Sequence, residues 1–305
     1  MTSGKNSDLR KRVKGVEKMH ASGSDREFVF TKADFEKVKE LIHRHAGIAL
    51  SDSKQNMVYS RLARRLRMLK LTRFSDYLET IASGNGEEWQ SFVNSLTTNL
   101  TSFFREKHHF PILADLLKSL ADKGDIRLWC NAASTGEEPY SIAITALEAL
   151  GTRAARVQVL ATDIDTNVLA TAQAGIYPEE SVSRVDDAIL RRYFRRGGEK
   201  HAGKVRVKPE VQSLVNFRQL NLLDASWPLS QPFDAIFCRN VMIYFDRPTQ
   251  RRVLQKFQPL LKPHGRLFVG HSESLGYARD LFHLEGRTVY RAAGAVPQAA
   301  ASAAA

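Results

Sequence analysis

The order of apolar patterns predicts an α/β fold: a doubly wound, mostly parallel sheet, preceded by a small all-helical domain and interrupted by a small antiparallel β insertion. Three observations carry this. From about residue 31 to 100, apolar residues recur at helical spacing. From about 125 onward, short apolar strand-like runs alternate with helical segments, the pattern of a sheet wrapped on both faces. Between 179 and 216 the alternation breaks, and a glycine turn with a short basic strand replaces it. The predicted division is a tail over 1–26, a helical domain over 27–100, a larger domain over 101–292 with its insertion at about 180–216, and a second tail over 293–305.

The first 26 residues are polar and lack a sustained apolar period, and the closing AVPQAAASAAA is low-complexity, so both ends read as flexible. Thr31 stands before a helix with Phe35, Val38, Leu41 and Ile42 at helical spacing, and Gly47 is its expected stop. A second helix, about 55–69, places Val58, Leu62, Leu66 and Leu69 on one stripe. Arg61, Arg64, Arg65, Arg67 and Lys70 fall on its other faces. Shorter helices fit 74–82 and 87–96, and the domain is too small for a catalytic pocket of its own.

In the larger domain, strands are expected at Ile126–Cys130, Val157–Ala161, Val215–Leu220, Phe233–Cys238 and Arg266–Val269. Helices are expected after the AASTGEE loop, through Val168–Ala174, over Ala188–Phe194 and over Pro248–Leu261. Phe282–Arg291 suits a terminal hairpin. The insertion, with Val205 and Val207 as its basic strand, is expected to hold few buried residues and to serve recognition.

With 43% hydrophobic and 26% charged residues, the chain can bury sizeable cores, which excludes a disordered class. No apolar run approaches the roughly 18 residues of a membrane span, and the N-terminus lacks a signal peptide's apolar stretch. Cys130 and Cys238 sit singly inside strand-like runs and read as buried thiols in a reducing cytoplasm. The net charge is +12, and residues 1–75 carry 18 Lys or Arg against 8 Asp or Glu. Such a region attracts nucleic acid, an anionic membrane or an acidic protein, and charge alone does not choose among them. There is no Walker A loop, HExxH, GxSxG or CxxC. His108 and His109 are adjacent and cannot share one helical face as zinc ligands, so no metal is expected.

The candidate chemistry lies at strand ends, where doubly wound folds bind ligands. In AASTGEEPYS, small residues at Ala132, Ser134 and Gly136 let a ligand approach the backbone, and Pro139 suits a first helical turn. Glu137 and Glu138 there disfavour a phosphate and favour a cationic group, or they simply complement the helix dipole. Asp163 ends the second strand, where an acid commonly holds ribose hydroxyls; a helix cap is the structural alternative, served as well by Asp165. Asn221-Leu222-Leu223-Asp224 and Arg239-Asn240-Val241-Met242-Ile243-Tyr244 occupy the matching places after later strands. TTNLTSFFREKHH joins the two domains as a linking turn or as a lid.

TNLTSFFRE, AASTGEEPYSIAI, TDIDTNVLATAQAGIY, NLL, FDAIFCRNVMIYF, LLKPHGRLFVGHSES and TVYR, in that order, resemble the CheR chemotaxis methyltransferases over about residues 28–292. The resemblance implies a class I S-adenosylmethionine-dependent methyltransferase-like domain that methylates glutamate carboxylates of chemoreceptors and releases S-adenosylhomocysteine. By the same resemblance, Asn99, Thr101 and Arg105 close over the cofactor, Glu138 (or Glu137) meets its methionine end, and Asp163 holds the ribose. Asn221, Leu222, Arg239 and Asn240 line the adenosine and the methyl-transfer face, and Tyr244 and Arg105 act at the reacting methyl. The resemblance further implies that Arg61, Arg64, Arg65 and Arg67 dock on an acidic receptor bundle, and that the insertion, as in some relatives, takes a receptor C-terminal peptide along a strand edge. A monomer without membrane insertion is expected. A nucleic-acid methyltransferase would want aromatic residues among the basic ones, and only Tyr59 lies near that helix. A non-catalytic adaptor is the other alternative.

Overall fold

The computed structural model describes residues 26–84 and 86–294. The two tails read from the sequence lie almost wholly outside the described residues. No helix among the described residues is long and apolar enough to cross a membrane.

Four helices form the first domain: α1 (Lys32–Ala46), α2 (Gln55–Leu69), α3 (Phe74–Ala82) and α4 (Gly86–Leu96). Thr31 and Asp34 make a reciprocal capping box on α1, satisfying two N–H groups that the first turn leaves free. Gly47 ends the helix at φ 70°, with its N–H on the carbonyl of His43. Phe35, Val38, Ile42, Val58, Leu62, Leu66, Tyr77 and Phe92 interlock as its core.

The chain continues through α5 (His109–Leu120), β1 (Ile126–Cys130), α6 (Glu137–Leu150), β2 (Val157–Asp163) and α7 (Thr166–Ala174). Then come β3 (Ile176–Pro178), α8 (Asp187–Tyr193), β4 (Phe194–Arg196), β5 (Lys204–Val207), α9 (Pro209–Gln212) and β6 (Val215–Gln219). β7 (Phe233–Cys238), α10 (Arg247–Phe257), β8 (Leu261–Val269), β9 (Phe282–Gly286) and β10 (Val289–Ala292) complete it. The main sheet runs β6-β2-β1-β7-β8-β10-β9, parallel from β6 to β8, with β10 antiparallel to both neighbours. Side chains alternate across it: Leu128, Ala235, Phe237 and Phe268 pack on the α5–α6 face, and Trp129, Ile236, Leu267 and Val269 on the α10 face. Strand order reverses between β1 and β7, which opens a crevice above their carboxyl ends.

Two expectations are corrected. α10 stops at Phe257, and β8 already begins at Leu261, because Pro259 cannot supply the N–H that a continuing helix needs. The insertion starts at Ile176 as a three-stranded sheet, β3-β5-β4, and it is not poor in buried residues. Tyr177, Tyr193, Phe194, Val205, Val207 and Val211 join the core beneath α6. The reason is period-2 alternation: Val205 and Val207 point inward while Lys204 and Arg206 point to solvent. Phe103 meets Tyr177 and Phe194 edge-on at 5.1 and 5.2 Å, so the insertion also props the segment joining the domains.

Candidate cofactor and methyl-transfer site

A cavity of about 440 Å³ sits above the carboxyl ends of β2, β1 and β7. It collects the ten residues named as binding or catalytic candidates: Asn99, Thr101, Arg105, Glu138, Asp163, Asn221, Leu222, Arg239, Asn240 and Tyr244 all line it, whereas Glu137 and Asp165 do not. The size suits a small organic ligand.

Asp163 closes β2 and is 8% exposed. One carboxylate oxygen accepts the Ser134 N–H (2.8 Å), the other the Asp165 N–H (3.0 Å). Burial pushes this group up to about 6, against the pull of those N–H groups. Each oxygen keeps a lone pair for a further donor. Asp165 takes the structural role: it caps α7 and gathers Asn99 (2.9 Å) and Thr97 (2.6 Å), fixing the linker's entry.

The loop after β1 needs its small residues. Ser134 stands at φ 49°, and a Cβ on Gly136 (φ 101°) would lie 2.7 Å from the Tyr177 hydroxyl. The two glutamates that follow divide. Glu137 turns to the Thr135 hydroxyl at 2.6 Å and does not line the cavity; Glu138 does. Glu138 is buried, which raises it, and it pairs with the Arg239 guanidinium. The cation that this helix start favours thus comes from the chain's own Arg239.

Arg239, 4% exposed, commits both terminal guanidinium nitrogens inside the protein and leaves its Nε without a partner. Besides Glu138 it holds the Arg105 carbonyl and lies 3.3 Å from Glu106, stitching the linker to the end of β7. Glu106, absent from the sequence reading, is a hub. It accepts the His271 N–H (3.1 Å), His271 Nδ1 (2.9 Å) and Asn240 Nδ2 (3.3 Å). Burial would raise Glu106, but these donors and Arg239 hold it down to about 2. Glu106, His108 and His109 bring potential metal-ligand atoms within 4.8 Å of one another. Glu106 is already shared among Arg239, Asn240 and His271, and burial beside Arg239 lowers His109 to about 4. Arg105 reaches back to the Leu100 carbonyl at 2.8 Å, and with Phe104 (φ 53°) and Glu106 (φ 54°) it forms a tight roof over the cavity.

The sequence reading also missed one wall. Ala46, Ile48, Ala49, Leu50, Lys54 and Met57 of the helical domain line the cavity. Hydrogen bonds secure this junction: Ala49 N–H to the Tyr244 carbonyl (2.8 Å), Asn221 Nδ2 to the His45 carbonyl (2.7 Å), and His43 to Asp246 (2.9 Å). A Cβ on Gly47 would fall 2.8 Å from a Leu223 methyl, so the glycine serves this close approach as well as the helix cap. Asn221 spends its amide on this junction, its oxygen accepting the Leu223 N–H. The helical domain therefore completes the pocket.

On α2, the proposed docking arginines divide. Arg61 donates to the Thr97 carbonyl (2.6 Å) at the end of α4, and Arg65 binds buried Glu88, which also takes the Tyr77 hydroxyl. Arg64 and Arg67 are exposed, Arg67 pairing with Glu27 at the surface.

Comparison with known proteins agrees along the length of the chain. The family description "CheR methyltransferase, all-alpha domain" matches residues 33–97, and "CheR methyltransferase, SAM binding domain" matches residues 99–291. The chemotaxis protein methyltransferase of Klebsiella aerogenes is 55% identical over 259 residues, covering 85% of this chain and 89% of that one. The Escherichia coli protein of the same name is 53% identical, covering 85% and 90%. Chemotaxis protein methyltransferase 2 of Pseudomonas aeruginosa is 51% identical over 267 residues, covering 87% and 95%. The strand order, the crevice at its reversal and this similarity assign the larger domain the class I S-adenosylmethionine-dependent methyltransferase fold, and the chain belongs to the CheR methyltransferase family.

Proposed function

We propose that this protein transfers a methyl group from S-adenosylmethionine to glutamate side chains of chemoreceptors, forming glutamyl methyl esters in the cytoplasm. The observation that carries this reading is the buried Asp163 carboxylate at the end of β2, which lines the cavity with acceptor capacity left on both oxygens. It suits two ribose hydroxyls, while Leu222 and Ile164 offer apolar surface for an adenine. When bound, S-adenosylmethionine supplies a sulfonium methyl, and S-adenosylhomocysteine is the product.

The chain's task is alignment. An acceptor glutamate is ionised at neutral pH, its unperturbed pKa being about 4.3, so it needs no general base. Holding two reactants in line supplies several kcal/mol, roughly 7–11 in favourable cases. Arg105, half-buried at the mouth, steers the incoming carboxylate, and Tyr244 orients its approach. Asn99 and Thr101 roof the cofactor, Glu138 faces its methionine end, and Asn221, Leu222 and Asn240 form the adenosine side. Arg239 acts behind this surface by holding Glu138 and the roof together.

Receptor docking falls to the exposed cations of α2, Arg64 and Arg67. The solvent face of the insertion carries Arg195, Lys204 and Arg206 beside the free edges of β3 and β4, which suits a strand-forming peptide with a carboxylate. The protein works as a monomer on this reading. Tritium transfer from methyl-labelled S-adenosylmethionine to chemoreceptor-containing membranes, followed by alkaline release of methanol, tests it. Base-labile label on the receptor is the expected result. Cofactor binding without transfer would replace the acceptor, and neither binding nor transfer would leave only an adaptor.

A further inference from the structure

The loop after β7 carries Asn240, Val241, Ile243 and Tyr244 into the cavity wall, and Asn240 turns the chain with a left-handed backbone. Asn240 stands at φ 59°, in the left-handed region that asparagine enters more readily than other non-glycine residues, as a single residue that the surrounding contacts must hold. A second carboxylate, Glu273, explains how it is held. Glu273 is 5% exposed and lies beyond the end of β8. One of its oxygens accepts both the Asn240 N–H (2.8 Å) and the Gly270 N–H (2.6 Å). The Met242 and Ile243 N–H groups also point toward this carboxylate. Gly270 leaves the room: a Cβ there would lie 2.5 Å from Asn240 Nδ2 and 2.8 Å from the Glu273 oxygen. From the other side, the Asn240 amide donates to Glu106 in the roof.

We propose that Glu273 is a positioning residue of the transfer reaction, clamping Asn240 and the turn that carries Tyr244, with Gly270 as the space the clamp requires. Glu273 does not line the cavity; it acts through Asn240. This inference rests on the proposed methyl transfer only where it concerns turnover. A buried acid that accepts backbone N–H groups and no cation fixes the geometry of the backbone it holds.

The test uses the full chain with Glu273→Ala, Glu273→Gln, Gly270→Ala and the Glu273→Ala/Gly270→Ala pair. In ligand-free protein, amide exchange over residues 239–245 is read by mass spectrometry. Glu273→Ala and Gly270→Ala should each speed it about tenfold, with α5 and α6 unchanged. Turnover per bound S-adenosylhomocysteine-competent site should fall about 100-fold in Glu273→Ala with a smaller change in receptor KM. Glu273→Gln, whose amide oxygen can accept both N–H groups, should recover most of that loss. The paired variant should lose less than the product of the single losses, because both act on Asn240. Unchanged exchange over 239–245 in Glu273→Ala, or a Glu273→Gln enzyme as impaired as Glu273→Ala, overturns the clamp. Wild-type protein that binds no S-adenosylhomocysteine would refute the proposed function, while the exchange data would still decide the clamp.

Discussion

The two ends of the main sheet both bury carboxylates, and they treat them differently. At the amino end, Asp234 is 1% exposed and saturated: Lys262 (2.8 Å), His264 (2.7 Å) and the Arg127 N–H (2.8 Å) take its oxygens. At the carboxyl end, Asp163, Glu138, Glu106 and Glu273 converge around the cavity, and polar atoms of Asn131, Arg239 and Glu273 lack partners within the protein. Left-handed, non-glycine residues gather at this end too, at Phe104, Glu106, Ser134 and Asn240. A saturated buried charge holds the fold together, whereas unspent hydrogen-bonding capacity in strained backbone is stability given up for a ligand.

Substitution at either end should separate these roles. Asp163→Ala should lower S-adenosylhomocysteine affinity about 100-fold by calorimetry, the scale of losing two charge-assisted hydrogen bonds of roughly 1.5 kcal/mol each. Asp234→Ala should leave affinity intact and lower stability by about 2 kcal/mol, since Lys262 and His264 are only partly buried and regain water. Equal effects on binding from both variants would erase the distinction drawn here between the two ends.

The same contrast governs what the sequence made legible. Asp163, Asn240 and Tyr244 could be picked out because period-2 apolar runs mark where strands end, and polar residues just beyond them are conspicuous. Glu106 and Glu273 could not, because an acid in a loop looks solvated until folding places N–H groups around it. The wall from Ala46 to Leu50 was hidden for the opposite reason: it is short, apolar and carries no chemistry. Arg61 and Arg65 read as a free basic face because their partners, Thr97 and Glu88, lie 36 and 23 residues away. The insertion's core was missed because its buried residues, from Tyr177 to Val211, are scattered between turns.

Away from both ends, α2 should show the weaker electrostatics of exposed charge. Arg64→Glu with Arg67→Glu should raise KM for receptor about tenfold at low salt and leave kcat unchanged, with the difference shrinking as salt screens it. Reversing Arg65 should instead unfold the helical domain, because it strands buried Glu88. A docking defect from Arg61→Ala equal to that from Arg64→Ala would argue that binding reaches the inward arginines.

The smallest effect is one of pH, and its two signs oppose each other. Burial raises Asp163 from 3.8 to about 6, with the Asp165 carboxylate adding to the rise against the Ser134 and Asp165 N–H groups. Between those values the folded protein holds a proton that the unfolded chain has lost. This group therefore favours folding below about pH 4, and that contribution fades as pH rises through about 6. Ribose recognition needs the ionised form, so affinity should run the other way. S-adenosylhomocysteine binding should weaken about twofold at pH 6 and about tenfold at pH 5 relative to neutral pH, as expected for one protonation that competes with the ligand. Asp163→Asn is the control: it should bind weakly at every pH and flatten the profile. A profile unchanged by that substitution would move the titration to another group and take from Asp163 its place as the ligand's acceptor.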